Sequence, residues 1–138
     1  MIESADEFVM LRNSEIVAEY NRAAHEPASE EVWLEVIDRY PDMKKWVIHN
    51  KTIPHSILRL LSDDPDPSVR WWVAMKRKAE PAILEKLAAD LDESVRIRVA
   101  CNQKTPDAVL ERLARDSSAE VSEPAIRQIA DRLRKATT

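Results

Sequence analysis

A repeat of 26 residues constrains the fold of this chain more than any other feature. The segment Asp64–Ala89 aligns without a gap on the segment Asp90–Arg115, and about half of the positions match. The same offset places Trp46 on Trp72. A repeat this short does not bury its apolar face alone, so successive copies must stack to form a common core.

Each copy of the repeat predicts two short helices. Asp66 and Asp92 are suited to cap the first helix, and Pro67 suits its first position. Thr105 and Pro106 are expected to cap and begin the second helix. Because apolar residues recur at helical spacing, the fold class is all-α. Helices are predicted near residues 30–39, 42–50, 54–62, 67–77, 81–90, 93–102, 106–115 and 123–135.

The two ends of the chain have the character of caps on a repeat array. Ser4 begins a capping box before a helical stretch that includes Phe8 and Tyr20, and Ser29 caps another helix. Pro124 is expected to open the final helix. We therefore predict one domain over residues 1–138. Its parts are an acidic N-terminal cap (1–40), the repeats (41–117) and a C-terminal cap (118–138).

The composition excludes several classes of site. The chain contains no glycine, which removes phosphate-binding loops and the nucleophile elbow of hydrolases. No apolar stretch approaches the roughly 20 residues that span a bilayer. Cys101 is the single cysteine, and the N-terminal residues are acidic where a secretory signal is basic, so we expect a cytoplasmic protein. Cys101 stands at the repeat position of Met75, which predicts a packed thiol.

The repeat text resembles a known family. Asp-x-Asp-x-x-Val-Arg-x-x-Val-Ala occurs at 64–74 and 90–100, and Thr-Pro-x-x-Val-Leu-x-x-Leu-Ala follows at 105–114. These motifs look like the leucine-rich-repeat-variant branch of the HEAT-like repeats. The resemblance implies a short α-α superhelix of about five two-helix units, and it implies shape much more than activity. One branch of that family carries an iron–sulfur cluster on several cysteines, which this chain does not possess.

No catalytic or metal-binding pattern is present, and we expect neither an enzyme nor a cofactor. The three histidines form no His-Glu-x-x-His motif. The recurring aspartates could suggest a carboxylate pair, but their regular spacing favours a structural role. An Asp at a helix start, with an Arg four residues later, predicts a ladder of salt bridges between repeats. Its members are Asp66, Arg70, Asp92 and Arg96.

Equivalent positions of the repeats predict a binding strip. Positions 46, 72 and 98 hold Trp, Trp and Arg, and residues four positions later share the same face of a helix. Trp and Arg are enriched at binding hot spots. The alternative is that the tryptophans fill the gap between helices. The predicted strip consists of Trp46, Asn50, Trp72, Lys76, Arg98 and Asn102.

A second column of residues is basic and runs through the turns: Lys51, Arg77, Lys78 and Lys104. Basic residues near tryptophans are typical of nucleic-acid binding, and HEAT-like glycosylases that remove alkylated bases have such a surface. The net charge is −4, and residues 1–43 contain eleven acids and three bases, so much of the chain would repel a long polyanion such as a nucleic acid. We therefore expect a protein-interaction module, of the adaptor or immunity type, whose partner has an acidic surface. Nucleic-acid binding or alkylated-base repair is the alternative.

Overall fold

The computed structural model describes residues 1–137, and it confirms the all-α prediction. The chain is 69% helical, with ten α-helices and one 3₁₀ helix among the described residues. The described residues contain no strand beyond an isolated β-bridge that joins Ile2 to Ala28. Two compact units are formed, Met1–Leu60 and the described residues from Leu61 onward.

The first unit packs short helices around an aromatic pair. Ser4 and Ser29 cap their helices as predicted, since Ser4 Oγ accepts from the Glu7 amide at 3.0 Å and Ser29 Oγ from the Val32 amide at 3.3 Å. Its helices are α1 (Ala5–Asn13), α2 (Val17–His25), α3 (Glu30–Arg39), the 3₁₀ helix Pro41–Met43, α4 (Lys44–His49) and the start of α5 (His55–Leu61). Phe8 meets the fully buried Trp33 edge to face, with ring centroids 5.2 Å apart. This unit therefore has a core of its own.

The helical stretch expected to carry both Phe8 and Tyr20 is interrupted, and that prediction is wrong in detail. Ser14 ends α1 in an extended conformation. Its hydroxyl accepts from the Ile16 amide at 3.0 Å and donates to Glu19 at 2.7 Å. A serine that bonds to the backbone two residues later offers an alternative to the helix, so a new helix begins at Val17.

The second unit displays the repeat directly. Its helices are α6 (Pro67–Met75), α7 (Pro81–Leu87), α8 (Glu93–Cys101), α9 (Asp107–Leu113) and α10 (Ala119–Ala136). α8 packs against both α6 and α10, while α7 packs against α6 and α8 and α9 packs against α8 and α10. Asp66 accepts from the Ser68 amide at 2.9 Å and Asp92 from the Val95 amide at 3.2 Å, which confirms both as caps.

Two predicted helix starts are wrong. Pro124 does not open the final helix but lies inside α10, which begins at Ala119. The start is set by Asp116, whose carboxylate accepts from the Ser118 amide at 2.9 Å, the same turn that Asp90 makes before α8. Thr105 does not cap α9 either. Its buried hydroxyl donates to the Val99 carbonyl at 2.7 Å.

Candidate functional site

The two asparagines of the predicted strip are structural, and their assignment to a binding surface is wrong. Asn50 is 0% exposed and Asn102 6% exposed. Asn102 Nδ2 donates to the Ala74 carbonyl at 2.8 Å, and Asn50 Nδ2 donates to the Ala23 carbonyl at the same distance. Each asparagine is the C-cap of its helix, with extended backbone. The four-residue spacing therefore does not bring them to the face of Trp46 or Arg98.

Lys76 occupies the same repeat position as these asparagines. It is the C-cap of α6, and its backbone carbonyl accepts a second hydrogen bond from Asn102 Nδ2 at 3.0 Å. Its side chain is partly buried. Asn50 and Asn102 thus each connect a helix end to backbone carbonyls of an earlier segment, and Lys76 receives such a bond from Asn102.

Trp46 lies in the first unit among basic side chains. The Arg12 guanidinium carbon lies 3.5 Å from the centroid of the indole, and Lys45 Nζ lies 4.8 Å from it. The His49 ring is tilted by 40° at a centroid distance of 5.5 Å. A cation over the face of an indole is attracted by the ring quadrupole. Trp46 is partly exposed, so it does not belong wholly to the core.

A pocket of about 460 Å³ opens beside this indole. α1 contributes Arg12, α2 contributes Tyr20, Asn21 and Ala24, and α4 contributes Trp46 and His49. The Arg12 Nε–H is buried and has no hydrogen-bond partner among the described residues. An unsatisfied buried donor costs about 1–3 kcal/mol. The pocket therefore combines largely apolar walls with an arginine that has no ion-pair partner among the described residues.

Trp72 and Arg98 lie in the second unit, together with a tryptophan that the sequence analysis did not place in the strip. Trp71 and Trp72 meet edge to face, with centroids 4.7 Å apart. The Arg98 guanidinium lies 5.3 Å from the centroid of Trp71, and not over Trp72. All three side chains are partly exposed.

A shallow pocket of about 170 Å³ connects Arg98 to the end of α6. Met75, 43% exposed, and Arg77 line it. We call Trp71, Trp72, Met75, Arg77 and Arg98 the tryptophan–arginine surface. It places aromatic, thioether and guanidinium groups next to one another on the layer formed by α6 and α8.

The predicted basic edge is accessible. Lys51, Arg77 and Lys104 are exposed, and Lys78 is partly exposed. None of these four side chains forms an ion pair within residues 1–137. Lys51 belongs to the first unit and the other three to the second. Three unpaired positive charges therefore lie in the turns of the second unit.

The predicted ladder between repeats exists with different acidic members. Arg70 Nε donates to Asp90 at 2.8 Å, and Arg96 Nε donates to Asp116 at 2.9 Å. Asp66 and Asp92 were expected to join it, but their carboxylates act as helix caps instead. The arginine side chains are 18% exposed and the two aspartates 8% and 11% exposed. The ladder therefore consists of well-shielded ion pairs.

The ladder lowers the pKa values of the two aspartates that it joins, Asp90 and Asp116. Burial raises the pKa of Asp90, but hydrogen bonds from Arg70 and from the Asp92 amide outweigh burial and hold that pKa below its usual value. Burial also raises the pKa of Asp116. The Ser118 amide and Arg96 reverse the effect, and the pKa of Asp116 is again lowered. Both carboxylates are thus stabilised as anions in the folded protein.

A groove between α8 and α10 contains residues that the sequence analysis missed. It measures about 430 Å³ and is lined by Cys101, Arg127, Gln128 and Arg132, among others. Cys101 is exposed at this groove, so the prediction that its thiol is packed is wrong. The repeat offset from Met75 through Cys101 to position 127 was the signal available in the sequence.

No group of three or more His, Cys, Asp or Glu within residues 1–137 is arranged to hold a metal ion. Of the helices described, none combines the length and the apolar character needed to cross a bilayer. Comparisons with protein-family models, with curated proteins and with solved structures find no match to this chain.

Proposed function

We propose that this chain is a non-enzymatic protein-interaction module that uses the tryptophan–arginine surface to bind a protein with an acidic surface. The observation that carries this proposal is the packing of Arg98 over Trp71, with Trp72 edge to face against Trp71. Tryptophan and arginine are the residue types most enriched at hot spots, and these side chains are already ordered by one another. Ordering before binding lowers the entropic cost of association.

The charge of this surface selects the partner. Neither Arg77 nor Arg98 forms an ion pair with any described residue; the Arg98 guanidinium lies over Trp71 and within 3.8 Å of the Cys101 Sγ. Carboxylates of a partner would give both guanidiniums charge-assisted hydrogen bonds, which are stronger than neutral ones. An acidic protein surface is therefore the complementary partner. The single cysteine, which is exposed and free, fits a reducing cytoplasm as the place of action.

The test has two steps: a partner is captured, and its affinity is then compared between two charge-reversal variants of this chain. Tagged protein captures partners from the source cells, and each candidate is purified and titrated by calorimetry. We expect the true partner to have an acidic surface and to bind the Arg98→Glu variant at least tenfold more weakly. Arg112→Glu makes the same charge change on an exposed residue of α9, outside the tryptophan–arginine surface, and although it removes a hydrogen bond to the Glu85 carbonyl it should bind the partner normally. Equal affinity of both variants would contradict the proposal.

Nucleic-acid binding or alkylated-base repair is the second candidate, because the basic edge carries cations without carboxylate partners among the described residues. Fluorescence anisotropy with a labelled duplex of about 20 base pairs and with a single strand of equal length tests it. On duplex DNA, each variant that removes a phosphate contact should reduce by about 0.9 the steepness with which the logarithm of the binding constant falls against the logarithm of the salt concentration. Micromolar binding near physiological salt, abolished by Arg77→Glu with Lys78→Glu, would replace the protein partner with nucleic acid.

A further inference from the structure

We infer that the pocket beside Trp46 is a binding site for a small carboxylate with an apolar body, separate from the tryptophan–arginine surface. All of its walls belong to the first unit, whose helices α1, α2 and α4 enclose it. Its volume of about 460 Å³ lies within the range of small-molecule pockets. An aromatic ring or a branched aliphatic group would pack against Trp46, Tyr20 and Ala24.

Arg12 is the feature that specifies an anion. The other arginines of the α1–α3 segment are paired, Arg22 with Glu7 and Glu26 and Arg39 with Asp6 and Glu35. Arg12 has no carboxylate partner among the described residues, although the surrounding segment is the most acidic of the chain. Its position in the last turn of α1 accounts for a cation there, because the helix C-terminus is negative. That position does not account for a buried Nε–H without an acceptor.

Arg12 lines the pocket, and its guanidinium carbon lies 3.5 Å from the centroid of the Trp46 ring. This cation–π contact restrains the guanidinium without engaging it in a hydrogen bond to an acceptor. A carboxylate can accept from two N–H groups of a guanidinium at once, the bidentate arrangement that arginine favours. Such a ligand would give Arg12 the counter-charge that no described residue supplies.

Further basic residues lie next to the indole that Arg12 contacts. Lys45 and His49 lie beside Trp46, so three basic residues surround the indole. The hydroxyl of Ser14, which also lines the pocket, donates to the Glu19 carboxylate at 2.7 Å. Because a neutral ligand would leave Arg12 without a counter-charge, the charge of the ligand is the property to test.

The test compares an acid with its neutral isostere by two-dimensional amide NMR, using the tryptophan indole and arginine Nε–H signals as reporters. Phenylacetate represents a free acid, phenylacetamide has the same shape without charge, and N-acetylphenylalanine represents the C-terminal residue of a peptide. We expect phenylacetate to shift the Trp46 and Arg12 signals saturably at concentrations up to about 20 mM, which saturates a millimolar site. Phenylacetamide should bind at least tenfold more weakly. Tighter binding of N-acetylphenylalanine than of phenylacetate would assign the site to a peptide terminus, and the reverse to a free metabolite.

Variants assign the effect to Arg12. Arg12→Gln should lower the affinity for phenylacetate at least tenfold. Arg12→Lys should give an intermediate affinity, because lysine keeps the positive charge but lacks the paired N–H donors of a guanidinium. Arg39→Gln removes the same charge from the same unit, at a residue that does not line the pocket, and should leave the affinity for phenylacetate unchanged. Circular dichroism verifies that each variant is folded. Equal binding of acid and amide by the unmodified protein, or no shift of Trp46 with phenylacetate, would overturn the inference whether or not the variants fold.

Discussion

Removal of Arg96 tests the ladder that joins the repeats of the second unit. Arg96 donates to Asp116 at 2.9 Å through Nε and to the Asp90 carbonyl at 2.8 Å through Nη1. Arg96→Ala leaves the Asp116 carboxylate, 11% exposed, without its cation, and leaves a carbonyl without a donor. Breaking a fully buried pair costs about 3–5 kcal/mol, whereas an exposed pair is worth about 0–1 kcal/mol.

The expected cost lies between these limits. Asp116 keeps its hydrogen bond from the Ser118 amide, and water reaches part of the pair, so we expect a loss of about 2 kcal/mol in the free energy of unfolding. With a urea m-value of about 1.5 kcal/mol per molar, the midpoint falls by about 1.3 M. Far-ultraviolet circular dichroism during urea titration measures this shift.

Two comparisons separate the ladder from a general effect of arginine removal. Arg134 forms an exposed pair with Asp131, so Arg134→Ala should cost less than about 0.5 kcal/mol. A double-mutant cycle of Arg96→Ala with Asp116→Asn should show a coupling of about 1 kcal/mol or more. Unchanged urea midpoints for both Arg70→Ala and Arg96→Ala would refute the reasoning that the ladder stabilises the fold.

Three further predictions concern the second unit. Folding lowers the pKa values of Asp90 and Asp116, so in acid the unfolded chain binds more protons than the folded one. The stability that the two carboxylates supply is present above their unfolded pKa near 4 and is lost as the pH falls through their folded pKa values. Urea midpoints at pH 6, 4 and 3 measure this loss. Asn102→Ala leaves the Ala74 carbonyl unsatisfied and should cost about 2–3 kcal/mol in urea unfolding, whereas a cost below about 0.5 kcal/mol would contradict its structural role. Pro124→Ala restores an amide inside α10 and should stabilise by about 1 kcal/mol, and a lower thermal midpoint would show that this proline is not a defect.

The spacing of the repeat predicted the helices of the second unit well because identical capping turns recur. α6, α8 and α10 begin at 67, 93 and 119, each 26 residues after the last. The error at Pro124 arose because proline was given more weight than the Asp116 turn, which sets the start of α10. A proline permits a helix start but does not impose one.

The candidate site was less predictable because side-chain partners depend on packing between repeats. Arg70 and Arg96 each pair with an aspartate 20 residues later in the chain, a distance that no helical periodicity reveals. Asn50 and Asn102 lie just beyond the ends of their helices, where a four-residue spacing no longer predicts the direction in which a side chain points. Arg12 belongs to no repeat, so its stacking on Trp46 emerges only from the packing of α1 against the rest of its unit.

Photocrosslinking from position 72 tests the proposed binding surface most directly. The variant Trp72→p-benzoylphenylalanine is irradiated in the source cells, and the adducts are identified by mass spectrometry. We predict one discrete adduct with an acidic protein, lost when Arg98→Glu is added, and no such adduct from p-benzoylphenylalanine at the exposed Glu111 of α9. Adducts with nucleic acid, or the same protein adducts from both positions, would contradict the assignment of the tryptophan–arginine surface to a protein partner.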